Sequence, residues 1–180
     1  MNKKRKIITY LSITIIGILG ILITVYALIP VRTNYVHAMW AFDVDNTEEC
    51  VKEAENVFIG KVLKKVGNEK RDSMPETQFK VHVEESIKGS LQGNVIVNQW
   101  AGYDVITKSI VLFEGDTLIE EGETYLFTTK AKSELNKGKP WQYWQNVTPI
   151  GGKIQVEDEE HKKELVEKYK NIKEEKKEKE

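Results

Sequence analysis

The residues able to do chemistry in this chain are few and scattered. There is one cysteine, Cys50, and there are three histidines, His37, His82 and His161, among 180 residues. A nucleophilic thiol needs a base or another thiolate-stabilising group beside it, and nothing local to Cys50 supplies one. A lone cysteine makes no intrachain disulfide and no Cys-rich zinc site. The histidines show no HExxH or similar ligand spacing, and no phosphate-binding loop is present. The expectation is a non-enzymatic protein with no catalytic residues, no metal and no cofactor. Cys50 is expected to be a buried small hydrophobe, and His82 a solvated side chain.

Aromatic side chains are the richer resource. Trp100, Tyr103, Trp141, Tyr143 and Trp144 form the candidate binding surface. Trp141 and Tyr143 share one face of an expected strand, and Trp144 points to the other. The competing reading is that these rings fill and cap a core, where most Trp area is buried.

The elements that position them read as mostly β. Thr47 caps a short helix carrying Cys50, Val51 and Ala54 on one face. A first strand over 57–66 contains Gly60, and its apolar residues switch faces, which marks a bend or bulge. After a polar loop over 67–73, the second strand alternates cleanly. Phe79, Val81 and Val83 point inward; Gln78, Lys80, His82 and Glu84 point to water. Ile87 breaks the alternation, so a bulge or strand end belongs there. A third strand covers 94–100, and 101–104 reads as a turn. Residues 105–121 read as a long connection packed on the domain, with room for one short strand. A fourth strand follows Gly122, with Tyr125 and Phe127 on one face. A fifth runs over 141–147, before a short extended segment at 153–156. A long bent first strand serving both halves is what a small closed barrel needs. The expected fold is therefore an OB-like antiparallel β-barrel of five to six strands. Asn146-Val147-Thr148 matches the short N-glycosylation pattern.

Charge is segregated along the chain. Lys3, Lys4, Arg5 and Lys6 precede an uncharged run over 7–29, long enough to cross a bilayer as a helix. A basic cluster before such a run holds that end in the cytoplasm. The expectation is a single-pass membrane protein with its lipid partner at 7–29 and the rest outside the cell membrane. The alternative is a secreted protein, cleaved near Val25-Tyr26-Ala27 or Val36-His37-Ala38. Residues 30–45 read as a juxtamembrane linker. Its Tyr35, Trp40 and Phe42 sit either at the lipid interface or over one end of the domain. The domain itself spans 46–156. Residues 30–156 hold 15 basic and 18 acidic side chains, a balance that disfavours nucleic acid as partner. The tail, 157–180, reads as a charged helix with Leu165, Val166, Tyr169 and Ile172 in a narrow stripe. Its first half docks on the domain, and its last eight residues fray or stay disordered.

Three phrases, VFIGKV at 57–62, FKVHVEESIKG at 79–89 and GETYLF at 122–127, resemble the netrin-like OB-fold module of tissue inhibitors of metalloproteinases. Similar modules occur in small extracytoplasmic proteins of Gram-positive bacteria. The resemblance covers 47–129 and implies an OB barrel. Animal inhibitors of that family chelate the protease zinc through an N-terminal Cys-x-Cys, which this chain lacks. The inhibitory mechanism is thus carried to no residue here. The functional expectation is a binding or interaction module for an extracytoplasmic protein or a cell-wall glycan. The alternative is a protease inhibitor acting through barrel loops.

Overall fold

The computed structural model describes residues 3–71, 74–131 and 143–178. The architecture is mostly β, with an apolar helix at the N-terminus and a charged helix at the C-terminus. Helix α1 (Lys3–Leu28) contains an apolar span, Ile7–Leu28, of 22 residues. That length suits a membrane span or a signal sequence.

The stretch expected to be a linker holds a strand. β1 (Arg32–Val36) runs parallel to β6 (Ser109–Phe113), which is itself antiparallel to β5 (Gly102–Asp104). These three make a separate small sheet in the order β1-β6-β5. Residues 101–104, read from sequence as a turn, thus start a hairpin. The folded unit begins well before residue 46, because β1's partner lies far along the chain, where local periodicity says nothing of it.

Helix α2 (Thr47–Glu53) starts one residue earlier than expected. Its cap is Asn46, whose side chain accepts from the Glu48 and Glu49 N–H groups. An Asn in extended conformation does this as well as Thr.

β2 (Asn56–Arg71) and β3 (Met74–Lys88) form a long antiparallel hairpin. The polar stretch 67–71, expected to be loop, is strand. Register shifts between Ile59 and Gly60 and between Val57 and Phe58 put bulges where Gly60 and Ile87 signal them. At Gly60 a Cβ would lie 2.6 Å from Val81 Cγ1, so only glycine admits the close crossing of the two strands. The bulge at Ile87 rotates that side chain to the opposite face from Val83, so one strand feeds two cores.

β4 (Gly93–Gln99), β7 (Thr124–Ala131), β8 (Gln145–Val147) and β9 (Lys153–Gln155) complete a six-stranded sheet in the order β2-β3-β4-β8-β7-β9. β7 also pairs with β2, so the hydrogen-bonded order returns on itself. β4 and β8 are parallel. β8 is shorter than the expected 141–147 strand: Tyr143 and Trp144 precede it, and 132–142 lie outside the described residues.

Phe58, Val62, Phe79, Val81, Val97, Tyr125 and Phe127 fill the main core. A second core lies on the other side of β2, where Val57, Ile59, Ile87 and Leu126 meet α2 and helix α3 (Glu159–Glu178). Leu165 and Tyr169 of α3 are buried there, as the apolar stripe predicts. The helix continues to Glu178, past the point where the sequence reading has it fray. Its outer edges are tied by Lys162 to Glu84 at 2.6 Å and Lys170 to Glu85 at 2.7 Å.

The face of β3 opposite Phe79 is not wet throughout. His82 is exposed, but Gln78 is buried, contrary to the alternation. Gln78 Nε2 donates to Asn98 Oδ1 at 2.7 Å, and Asn98 Nδ2 donates to Glu76 Oε2 at 2.8 Å and Asn146 Oδ1 at 2.9 Å. A hydrogen-bonded chain through the side-chain amide nitrogens of Gln78 and Asn98 stands where periodicity alone expects water, while Gln78 Oε1 stays buried without a partner.

Candidate functional site

The site assembles from two distant parts of the chain. β4 ends at Gln99, and Trp100 follows it. The parallel pairing of β4 with β8, Val97 opposite Gln145 and Asn98 opposite Asn146, carries Trp100 toward Thr148 and Pro149. The facing wall comes from the segment after β1. Trp40 packs edge-on against Phe113 of β6, ring centroids 4.8 Å apart at 74°. Phe42 and Val44 follow. Together Trp40, Phe42, Val44, Trp100, Val147 and Pro149 line an apolar groove of about 300 Å3.

The wall is braced by α2. The Asp43 N–H donates to Glu49 Oε2 at 2.9 Å, and the Asn46 N–H to the Asp43 carbonyl at 3.2 Å. Cys50 Sγ donates to the Val44 carbonyl at 3.2 Å. Gly151 packs so closely under the Val44 carbonyl that a Cβ would collide with it.

Two polar side chains at the groove's rim, Lys130 and Asn146, are already engaged. Lys130 Nζ pairs with Glu53 at 3.1 Å. Asn146 Oδ1 accepts from Asn98, and its Nδ2 donates to the Lys130 carbonyl at 3.4 Å. This also seats the amide of the glycosylation pattern within the β4–β8–β7 junction. On the far side of Trp40 and Phe42 lies a depression of about 430 Å3 with a different lining, including His37, Asp43, Asp45 and Glu114. His37 Nδ1 and Glu114 Oε2 are 3.2 Å apart there, both side chains well exposed. The two aromatic rings therefore line both an apolar groove and an acidic one.

Among the described residues, the sequence-predicted aromatics do not all line one site. Trp100 is partly exposed, at 41 %, and belongs to the groove. Tyr103 lies on another surface, beside a cavity of about 420 Å3 lined by Val31, Phe79, Ile110 and Ile119 among others. Tyr143 is exposed in a turn, and Trp144 is half-buried; they share no strand face. Trp141 lies outside the described residues. Trp40 and Phe42, which complete the groove, are the pair whose sequence reading left lipid interface and domain end both open. The structure seats them on the domain.

Cys50 is fully buried. Burial pushes its thiol up to about 11 from an ordinary 9.0, with Asp43, Asp45 and Glu49 adding to the effect. Such a thiol holds its proton and is a poor nucleophile. At pH 8 the folded protein is expected to resist iodoacetamide, whereas the urea-unfolded chain reacts readily. Equal rates would show an open thiol. Because the folded pKa is the higher one, this group's contribution to stability is whole below pH 9 and is lost as pH rises through 11.

Among the described residues no group of three or more His, Cys, Asp or Glu side chains is placed to hold a metal ion. No protein-family model matches the chain, and no curated protein matches it either.

Proposed function

We propose that this protein is a non-enzymatic, membrane-anchored extracytoplasmic binding module. Its OB-like barrel holds an apolar segment of a protein partner in the groove of Trp40, Phe42 and Trp100. The groove carries this reading. It is concave and aromatic, and its polar neighbours Lys130 and Asn146 are spent on internal bonds. A sugar needs free donors and acceptors around its ring, so the lining favours apolar side chains over a cell-wall glycan. Aromatic anchors in a partly desolvated pocket are the usual seat of binding energy.

Three observations support the rest of the reading. The strand circuit β2–β3–β4–β8–β7 and back to β2 has the membership and crossed order of a five-stranded OB barrel, in line with the netrin-like resemblance. The basic cluster before the apolar span favours a cytoplasmic N-terminus. An uncleaved anchor fits the structure better than a cut after Ala38, because that cut strips β1 from β6 along all five register pairs.

Selection of displayed peptides against the full chain in detergent tests the groove. The expected winners carry bulky apolar residues, and Trp100→Ala weakens their binding at least about 30-fold, the effect of a 2 kcal/mol anchor. Folding should be little changed, since Trp100 is partly exposed. Peptides that bind wild type and Trp100→Ala equally, or binding seen only to isolated wall glycan, would sink the reading.

A further inference from the structure

The hairpin of β5 and β6 ends in an unusual tip. Turns favour Gly, Asn, Asp and Ser, yet Val105 and Ile106 stand at this one, 65 % and 83 % exposed. The tip is well built. Asp104 Oδ1 accepts from the Ile106 N–H at 2.9 Å and the Thr107 N–H at 3.4 Å, and Asp104 Oδ2 pairs with Lys70 at 2.7 Å. The hydrogen bond from Lys70 holds the Asp104 carboxyl below its ordinary range.

The parallel register puts this tip at the end of α1. Arg32 lies opposite Ser109, and only Ile29, Pro30 and Val31 separate α1 from β1. The contact is direct. Tyr26 Oη donates to the Val105 carbonyl at 3.0 Å. Lys108 Nζ donates to the Tyr26 carbonyl at 2.5 Å and the Ala27 carbonyl at 3.2 Å, and lies 4.8 Å from the Tyr26 ring centroid. α1 has no basic residue in its own last turn. Lys108 supplies that missing cation from a distant hairpin, satisfying terminal carbonyls and the helix dipole.

We propose that the 105–108 tip is a second lipid contact, in which Val105 and Ile106 enter the outer headgroup–acyl boundary beside Tyr26 while Lys108 fixes the domain's orientation on the bilayer. The proposal rests on the reading of α1 as an uncleaved anchor. The depths agree. A span of 22 residues rises about 33 Å as helix, against a hydrocarbon core of about 30 Å. Tyr26 then sits at the interface, where tyrosine is favoured. The tip is hydrogen-bonded to Tyr26 and shares its depth. Its Ile106 and Thr107 N–H groups are already bonded to Asp104, so entry strands neither donor. The exposed Val31 beside it extends the apolar surface.

Three single-site labels on the full chain in phosphatidylcholine–phosphatidylglycerol vesicles test this. Ile106→Cys, Glu114→Cys and Leu19→Cys are each labelled with an environment-sensitive fluorophore, Cys50 being buried. Nitroxide-bearing lipids serve as quenchers. The expected result is at least twofold quenching of the Ile106 label by shallow nitroxides, quenching of the Leu19 label by deep ones, and neither effect at Glu114. Quenching at Leu19 without Ile106 overturns the lipid contact and leaves the anchor standing. An Ile106 label that is shielded yet unquenched, as in a contact with a second copy, overturns it equally. No quenching at Leu19 overturns the anchor and the tip contact together.

Discussion

Replacing Lys153 with methionine is expected to cost about 3–5 kcal/mol of folding stability. Lys153 of β9 pairs with Asp116, and their side chains are 3 % and 2 % exposed. Burial lowers the Lys153 pKa, and the Asp116 charge opposes that shift. Without the ammonium, Asp116 keeps a carboxylate in a dry site with only polar neighbours. Those neighbours matter to the fold. Gln99 Nε2 donates to Asp116 Oδ2 at 3.3 Å and to the Thr117 carbonyl at 2.5 Å, and the Ile119 N–H donates to Gln99 Oε1 at 3.0 Å. The node thus pins the 116–119 segment, whose Ile119 closes the main core. Urea denaturation measures the loss. Lys153→Met with Asp116→Asn should recover most of it, because a buried pair is costly to break but contributes little net. A single-variant loss below about 1 kcal/mol would show that water reaches Asp116 and that the pair is not a lock.

Tyr169→Ala is expected to destabilise the domain by a similar amount, about 3–5 kcal/mol. The ring is fully buried, among Val51, Val57, Ile59, Ile87 and Leu126. Burial pushes its hydroxyl up to about 12. Alanine leaves a cavity that helices and strands close only in part. Tyr169→Phe keeps the ring and should retain most of the stability, which separates packing from the hydroxyl. Removing 159–180 should be worse than either, since it takes Leu165 and Tyr169 together from the second core and leaves α2 alone over it. A truncated chain as stable as the full one would show that the charged helix merely decorates the surface.

Much of this was readable from periodicity. Val57, Phe79, Val81, Val83, Tyr125 and Phe127 alternate in ways that identify their strands, and Gly60 and Ile87 announce their bulges. The stripe of Leu165 and Tyr169 announces α3's docking. What was hidden depends on long-range partners. RTNYV at 32–36 carries no alternation of burial and becomes a strand only because Ser109–Phe113 lies beside it. Gln78 looks like a solvent-facing residue until Asn98 and Asn146 arrive from other strands. The same holds for the candidate site. Trp100 could be picked out as a large ring at a strand end. Its true neighbours, Trp40 and Phe42, are fixed by Phe113 and by α2's first turn, and no spacing rule links those positions. Tyr103 fell near Trp100 in sequence but went to the other sheet, because Gly102 starts β5.

The pairing of β1 with β6 also sets how load passes through the molecule. The backbone runs without interruption from Leu28 through β1 to Trp40. A pull applied at Trp40 therefore travels down β1 into α1. The hydrogen bonds from β1 to β6 lie across that line of pull, so the five register pairs share the strain in shear and do not open one after another. A segment that reads as a loose tether is a paired strand, and a load on the groove wall reaches the helix through it.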